Sequence, residues 1–461
     1  MTNQNPNNPI RKRIYQQFIK PMKGENDYIG IELEMPIVNL EKKAVDFQII
    51  HQITRKFKKE FPDFTKASKD YDGNIYALQN PKTHDILCYD CSYNNIEFAM
   101  GPEEDINTID ERFNQYYTYI KQSLEKYNHT ITGMGINPYR KYNNEIPIPS
   151  ERYLMLYHHL ESYRNYRNPP IKFHKYPGYG MFSSASQVQL DVQQDELISS
   201  INTFTKIEPI KALLFSNSLL YGEDHNITCY RDLLWEYSTH GINPRNIGMY
   251  DKQLSDINDL LSYMQSLNMY CVMRDKSYIN FPSISLDEYY SKENITGEIY
   301  DNGSYEKIDI TPTLDDIDYL RPFKFINLTN RGTIEFRSIC TQPVSESMSV
   351  AAFHRGLKDK LYELNQLITE SDLYGEYSPT QLRKLLIQYE IPEYLDKAQL
   401  YSFAKEIVDL AADGMKERGL DEEKYLKPLY ERIRKQTNPS KNIIDSLNSN
   451  KTIEDLIKEY G

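Results

Sequence analysis

In DYIGIELEMP, residues 27 to 36, Asp27 leads into a mostly apolar run that has two further acids, Glu32 and Glu34, set into it. Ile29, Ile31 and Leu33 alternate with Gly30, Glu32 and Glu34, so a strand here carries its aliphatics on one face and both carboxylates on the other. Taken alone, such a strand would turn its acids to water, where charged side chains are mostly found. Three more runs repeat the design. In CYDCSYNNIEFAMGP (88–102), Ile96 and Phe98 alternate with Asn95 and Glu97, while Asp90 precedes them across a turn-prone Ser-Tyr-Asn-Asn. In SASQVQLDV (184–192), Ser186, Val188, Leu190 and Val192 oppose Gln187, Gln189 and Asp191; in GTIEFRSIC (332–340), Glu335 and Arg337 oppose Ile334 and Phe336.

A sheet built from these runs would give its apolar side to covering helices and its polar side to a cleft. Glu32, Glu34, Asp90, Glu97 and Glu335 would then repel one another by several kcal/mol per pair, on the order expected at an effective dielectric near 20. Bound cations would relieve this, and hard oxygen ligands suit Mg2+ or Mn2+, which in turn hold nucleotide phosphates. The alternative is a set of independent strand faces, each solvated.

At 461 residues the chain has room for one large domain with appendages or for two to three ordinary domains. Its net charge of −12 speaks against a general nucleic-acid binder, which needs a basic surface. The opening segment lacks the unbroken apolar core of a signal peptide and no run approaches bilayer length, so the expectation is a soluble cytoplasmic protein with no membrane partner, a monomer or homodimer. Five cysteines, an odd and sparse set, fit reduced thiols. Cys88 and Cys91 form a C-x-x-C without a second half-site for zinc. Neither a G-x-x-x-x-G-K-[ST] loop nor a strand-anchored G-x-G-x-x-G is present, so any ATP must be held by other means.

Along the chain the expected order is a polar arm with a short basic helix (1–24), an α+β catalytic body (25–345) and a helical C-terminal region packed on it (346–461). Helices are expected near Asp46–Lys59, Ile106–Tyr127, Glu196–Leu220 and Leu254–Leu267, and a surface hairpin or loop over 291–313.

The motifs occur in a recognisable series: G-I-E-L-E at Gly30–Glu34, Asp90 with Glu97, G-I-N-P at Gly135–Pro138, Arg152-Tyr153, Q-V-Q-L-D at Gln187–Asp191, Arg231 with Trp235, N-P-R-N-I-G at Asn243–Gly248 and E-F-R at Glu335–Arg337. The tail, Gly419–Leu429 followed by Thr437–Pro439, continues it. This order resembles the glutamate-cysteine ligase family in its plant and proteobacterial branch. The resemblance implies a glutamine synthetase-like fold, a mostly antiparallel curved sheet forming an active-site funnel and covered by helices. It implies Glu32, Glu34, Asp90, Glu97, Gln187 and Glu335 as metal ligands, Gln189 and Arg231 as substrate-binding residues, and Arg245 and Arg337 as the clamp on a transferring phosphoryl group. ATP, Mg2+ or Mn2+, glutamate and cysteine or another amine are the implied small-molecule partners. The implied reaction passes the γ-phosphoryl group to the γ-carboxylate of glutamate and lets the amine of cysteine displace phosphate, the first step of glutathione synthesis. A related carboxylate-amine ligase with another amine or acid, and a non-catalytic nucleotide-binding relative, are the alternatives. One departure stands out: where the family places an aspartate three residues after the arginine of E-x-R, this chain has Cys340.

Overall fold

Strong local signals start the helices of this computed structural model, which describes residues 8–24, 27–223, 226–301, 303–374 and 377–461. Asp46 caps the helix Phe47–Glu60 by accepting from the amides of Gln48 and Ile49, and Asp105 caps Ile106–Glu125 through Asn107. Ser378 and Thr452 each form a reciprocal capping box at Pro379–Leu386 and Ile453–Tyr460. The expected helix over Glu196–Leu220 is two, Leu197–Lys206 and Glu208–Phe215. Pro209 lacks an amide hydrogen and sits in a first turn, so it begins a helix here rather than continuing one.

The strands are, in chain order, β1 (Ile29–Asn39), β2 (Lys66–Lys69), β3 (Ile75–Gln79), β4 (Ile86–Tyr89), β5 (Asn95–Glu103), β6 (His129–Ile131), β7 (Ser186–Asp191), β8 (Ile247–Gly248), β9 (Asn268–Arg274), β10 (Ser277–Ser285), β11 (Ile295–Asp301), β12 (Ser304–Ile310), β13 (Phe323–Lys324), β14 (Ile326–Leu328) and β15 (Thr333–Phe336). The main sheet runs β14-β15-β7-β1-β5-β4-β3-β2, with β6 paired to the end of β1, and every pair in it is antiparallel. A second antiparallel sheet, β12-β11-β10-β9, contains the hairpin over 291–313, and β13 and β8 form a short parallel pair.

The four amphipathic runs are β1, β5, β7 and β15, adjacent in the sheet with their apolar sides in register. Leu33 lies opposite Phe98 and Ser186, and Val188 opposite Phe336. Helices cover that apolar side. Phe98 meets Phe113, and Phe336 meets Phe204 and His354, with ring centroids 5.4, 4.6 and 4.4 Å apart. Each such large apolar side chain contributes about 1.5–3 kcal/mol by leaving water.

The expected funnel does not form. The main sheet is open, with β14 and β2 as its two edges and no pairing between them. All four residues of β2, Lys-Ala-Ser-Lys, are exposed, and lysines along a free edge oppose further strand pairing. The architecture is therefore a mixed α/β fold of antiparallel sheets with a C-terminal helical region, and its polar cleft lies over one face of an open sheet. The helix Glu151–Glu161 borders that face: the Tyr153 hydroxyl donates to the Tyr89 carbonyl at 3.0 Å, and the Tyr76 and Tyr153 rings meet at 6.1 Å. Among the described residues no helix is long and apolar enough to cross a membrane.

Candidate functional site

The polar face follows from the register. Glu34 on β1 lies directly opposite Glu97 on β5, which in turn lies opposite Cys88 on β4. Asp90 follows β4 by one residue, and a reverse turn sends the chain back into β5 through the Asp90 amide bond to the Asn95 carbonyl. The result brings ligand oxygens of Glu34, Asp90 and Glu97 within 4.8 Å of one another.

Such a grouping is electrostatically unfavourable when bare. Burial, then the neighbouring Asp90, pushes Glu34 up to about 8; burial, then Glu335, pushes Glu32 up to about 7. Burial raises Asp90, and burial with the charges of Glu32 and Asp90 raises Glu97 well above the usual carboxylate range. Three carboxylates that close, in a site that disfavours their own charge, fit one shared hard divalent cation.

Around this set the amides act as spacers between acids. Glu34 accepts from the Ala185 amide at 2.8 Å and from Gln187 Nε2 at 2.7 Å. Gln189 Nε2 donates to Glu32 at 2.8 Å and to Glu335 at 3.0 Å, holding a second pair of carboxylates together. Its oxygen accepts from Arg331 at 2.8 Å. Arg337 Nε reaches Gln187 Oε1 at 3.0 Å and Glu335 at 3.3 Å, and its guanidinium lies over the rings of Trp235 and Phe323. Gln187 thus spends its oxygen on Arg337 and its amide on Glu34, and would have to release Arg337 to face a metal.

The remaining expected residues are placed differently. Arg231 is buried, stacks on Trp235 at 4.2 Å and donates to the Arg337 main-chain carbonyl at 2.9 Å, so it supports Arg337 from behind. Arg245 is held by other partners. Its Nε pairs with Asp251 at 3.0 Å, and its Nη1 donates to Ser266 at 3.1 Å. Cys340 packs with Ala212, Cys229 and Ile387, its Sγ 3.6 Å from that of Cys229. It fills a small core there and does not line the carboxylate face.

Two cationic residues of the site carry no assignment from sequence. Arg331, in the turn between β14 and β15, acts on Glu32 and Gln189; Arg152, at the start of Glu151–Glu161, acts on Glu32, Asp90 and Glu97. Arg152 belongs to the motif series, which was its available signal, whereas nothing around Arg331 marks it.

No protein-family model matches the chain. The chloroplastic glutamate-cysteine ligase of Brassica juncea is 20% identical over 361 residues, 76% of this chain and 65% of that enzyme. Its counterpart in Nicotiana tabacum is 22% identical over 361 residues, 76% of this chain and 63% of that one. The chain thus spans less than two thirds of the length of these plant relatives. Among solved structures, a glutamate-cysteine ligase from Francisella tularensis in complex with AMP matches at 15% identity and a TM-score of 0.47, over 91% of this chain and 84% of that one. A bifunctional glutathione synthetase from Pasteurella multocida matches at 11% identity and a TM-score of 0.49, over 98% of this chain and 52% of that one.

Proposed function

We propose that this glutamate-cysteine ligase-like chain is an ATP-dependent carboxylate-amine ligase that joins the γ-carboxylate of glutamate to the amine of cysteine through an acyl phosphate. The observation that carries the reading is the grouping of Glu34, Asp90 and Glu97 beside Arg337 on one face of the sheet. Phosphoryl transfer asks the protein for positioning and charge stabilisation more than for covalent chemistry, and this face offers both. Glu34, Asp90 and Glu97 would hold a Mg2+ ion, which would supply positive charge against the charge that develops in transfer. Arg337, fixed at Nε by Gln187 and Glu335, presents a planar donor group whose direction the protein sets before substrate arrives. Gln189 keeps Glu32 and Glu335 together, so the acids do not splay when the charge between them changes.

The deciding assay mixes purified protein, ATP, Mg2+ and glutamate with a panel of amines and follows phosphate release and product mass. ADP, phosphate and a γ-glutamyl amide of cysteine are expected. Release of AMP and pyrophosphate would replace the acyl phosphate by an adenylate and overturn the mechanism. Turnover with another amine and not with cysteine would reassign the acceptor.

A further inference from the structure

Between the C-terminal half of the helix Glu151–Glu161 and the second sheet lies a cavity of about 330 Å3. Rings of His158, His159, Tyr166 and Phe281 line it. Its rim is charged: Glu298 of β11 lies opposite Lys307 of β12 and meets His158 Nε2 at 2.7 Å. The elements around the hollow are closely packed. A Cβ on Gly297, which also lines it, would sit 2.5 Å from Ile279 Cγ2 and 2.8 Å from the Asn280 carbonyl oxygen, and His158 is stacked on Tyr305 with ring centroids 3.6 Å apart.

Two side chains of the lining are more than nine-tenths buried and keep a polar atom that has no hydrogen-bond partner among the described residues. Asn280 is 5% exposed; its Nδ2 donates to the Met155 carbonyl at 3.1 Å, and its Oδ1 is unused. His159 is 3% exposed, and its Nε2 is unused as well. Burial, then His158, pushes its pKa down to about 3, so the ring is neutral and Nε2 donates or accepts according to tautomer. Buried polar atoms are costly when unpaired, and two of them on one cavity point to a ligand that completes their bonds.

The same groups define that ligand. Asn280 Oδ1 only accepts, so the ligand has to donate, whereas His159 takes either role. Glu298 is engaged by His158 and opposed by Lys307, so the interior presents no free charge and suits a neutral molecule. Aromatic walls favour a flat one, and the volume is near the lower bound of small-molecule pockets. A partition of rings separates the cavity from the carboxylate face. His159 stacks on Tyr270 at 3.8 Å and lies 5.0 Å from His240; His240 stacks at 3.6 Å on Phe323, the ring under Arg337. None of Glu34, Asp90 and Glu97 lines the cavity.

We propose that this cavity is a second small-molecule site, distinct from the cleft, that takes a neutral flat heterocycle with an amino donor on its edge, the chemistry of adenine or cytosine in a nucleoside.

The test titrates the full chain calorimetrically, with EDTA and no divalent cation, using adenosine and cytidine and their oxo counterparts inosine and uridine. At least one amino nucleoside should bind, and its oxo counterpart should bind about tenfold more weakly, as expected for loss of a hydrogen bond to a buried acceptor. His159→Phe keeps the stack on Tyr270 and removes Nε2; it should weaken the amino nucleoside about tenfold and yet melt no lower than wild type when unliganded, because an unpaired buried atom is gone. Thr296→Trp, at an exposed strand position on the lining, should block the cavity and abolish nucleoside binding while Mn2+ binding is retained. If neither amino nucleoside binds the wild type, if the oxo counterpart binds within about twofold of it, or if Thr296→Trp binds as wild type does, the proposal falls. Binding that appears only with Mg2+ and is lost in Glu97→Gln would belong to the cleft and overturn it too. Failure of the ligase reading is seen separately, in phosphate release, and leaves these outcomes unchanged.

Discussion

Glu34 has both carboxylate oxygens engaged, by the Ala185 amide and by Gln187, and is still pushed up to about 8 by burial and by Asp90. Two hydrogen bonds do not offset the loss of water and a like charge at that distance. Glu97, across the ladder from it, shares the same strain. Glu97→Gln removes a metal oxygen and one of the repelling charges together. Mn2+ affinity should drop by at least about a hundredfold, the upper end of what losing even an outer-shell partner costs, while the metal-free variant melts no lower than wild type. Calorimetric titration and a thermal scan of the same sample check both halves; retained Mn2+ binding would remove Glu97 from the cation site. Arg337 poses a different problem, since its Nε touches Gln187 and Glu335, its Nη1 donates to the Pro322 carbonyl at 3.4 Å, and its guanidinium lies over Trp235 and Phe323. Lysine keeps the charge and loses the planar donor pair, so Arg337→Lys should lower turnover on the order of a hundredfold with the melting temperature little changed. A loss below about threefold would make Arg337 a structural residue.

The helices Ser349–Asp359 and Lys397–Arg418 pass so close that a Cβ on Gly414 would sit 2.2 Å from the Gly356 carbonyl oxygen, and one on Gly356 would sit 2.1 Å from that of Ala411. Alanine would favour each helix by about 1 kcal/mol over glycine, yet here it forces two backbones apart, an overpacking cost of about 1–3 kcal/mol. Overlap should win: Gly414→Ala is expected to lower the melting temperature with Mn2+ binding unaltered, and a higher melting temperature would show that the crossing can open cheaply. At this scale the sequence was most readable where side chains alternate. β1, β5, β7 and β15 were visible because period-two patterning reports which face is buried, and the helices after residue 345 because caps and Pro residues mark their starts. The hairpin of β9 and β10 was not foreseen: Met-Tyr-Cys-Val-Met is a short apolar run that serves strand or helix equally well. Sheet closure was misjudged for a related reason, because whether β2 meets β14 depends on strands far apart in sequence. Arg245 and Arg152 show the same limit for single side chains. Both stand in the motif series, but the groups they meet, Asp251 and Ser266 for the first and Asp90 for the second, are not written in it.

The whole molecule carries a net charge of −12 and gathers several of its acids onto one half-buried face, so its stability should depend on cations and on pH together. The folded pKa values of Glu32 and Glu34, about 7 and about 8, lie above the value near 4.3 of an unfolded glutamate. Below about pH 4.3 both states are protonated at these residues and the shift contributes nothing. As pH rises from there the unfolded chain gives up its protons first, the folded state binds more of them, and the metal-free protein loses stability progressively until the folded groups also ionise near pH 8. A divalent cation reverses the sign by making the ionised carboxylates the favourable form, with protons released on binding. Metal-free protein should therefore melt lower at pH 8 than at pH 6, and saturating Mg2+ or Mn2+ should narrow or invert that difference. Glu34→Gln should flatten the metal-free profile, because one of the two shifted groups no longer titrates. A metal-free melting temperature that climbs steadily from pH 6 to pH 8 would show that these acids are ionised in the fold without a cation, and Arg152, Arg231, Arg331 and Arg337 would then suffice to hold the face together.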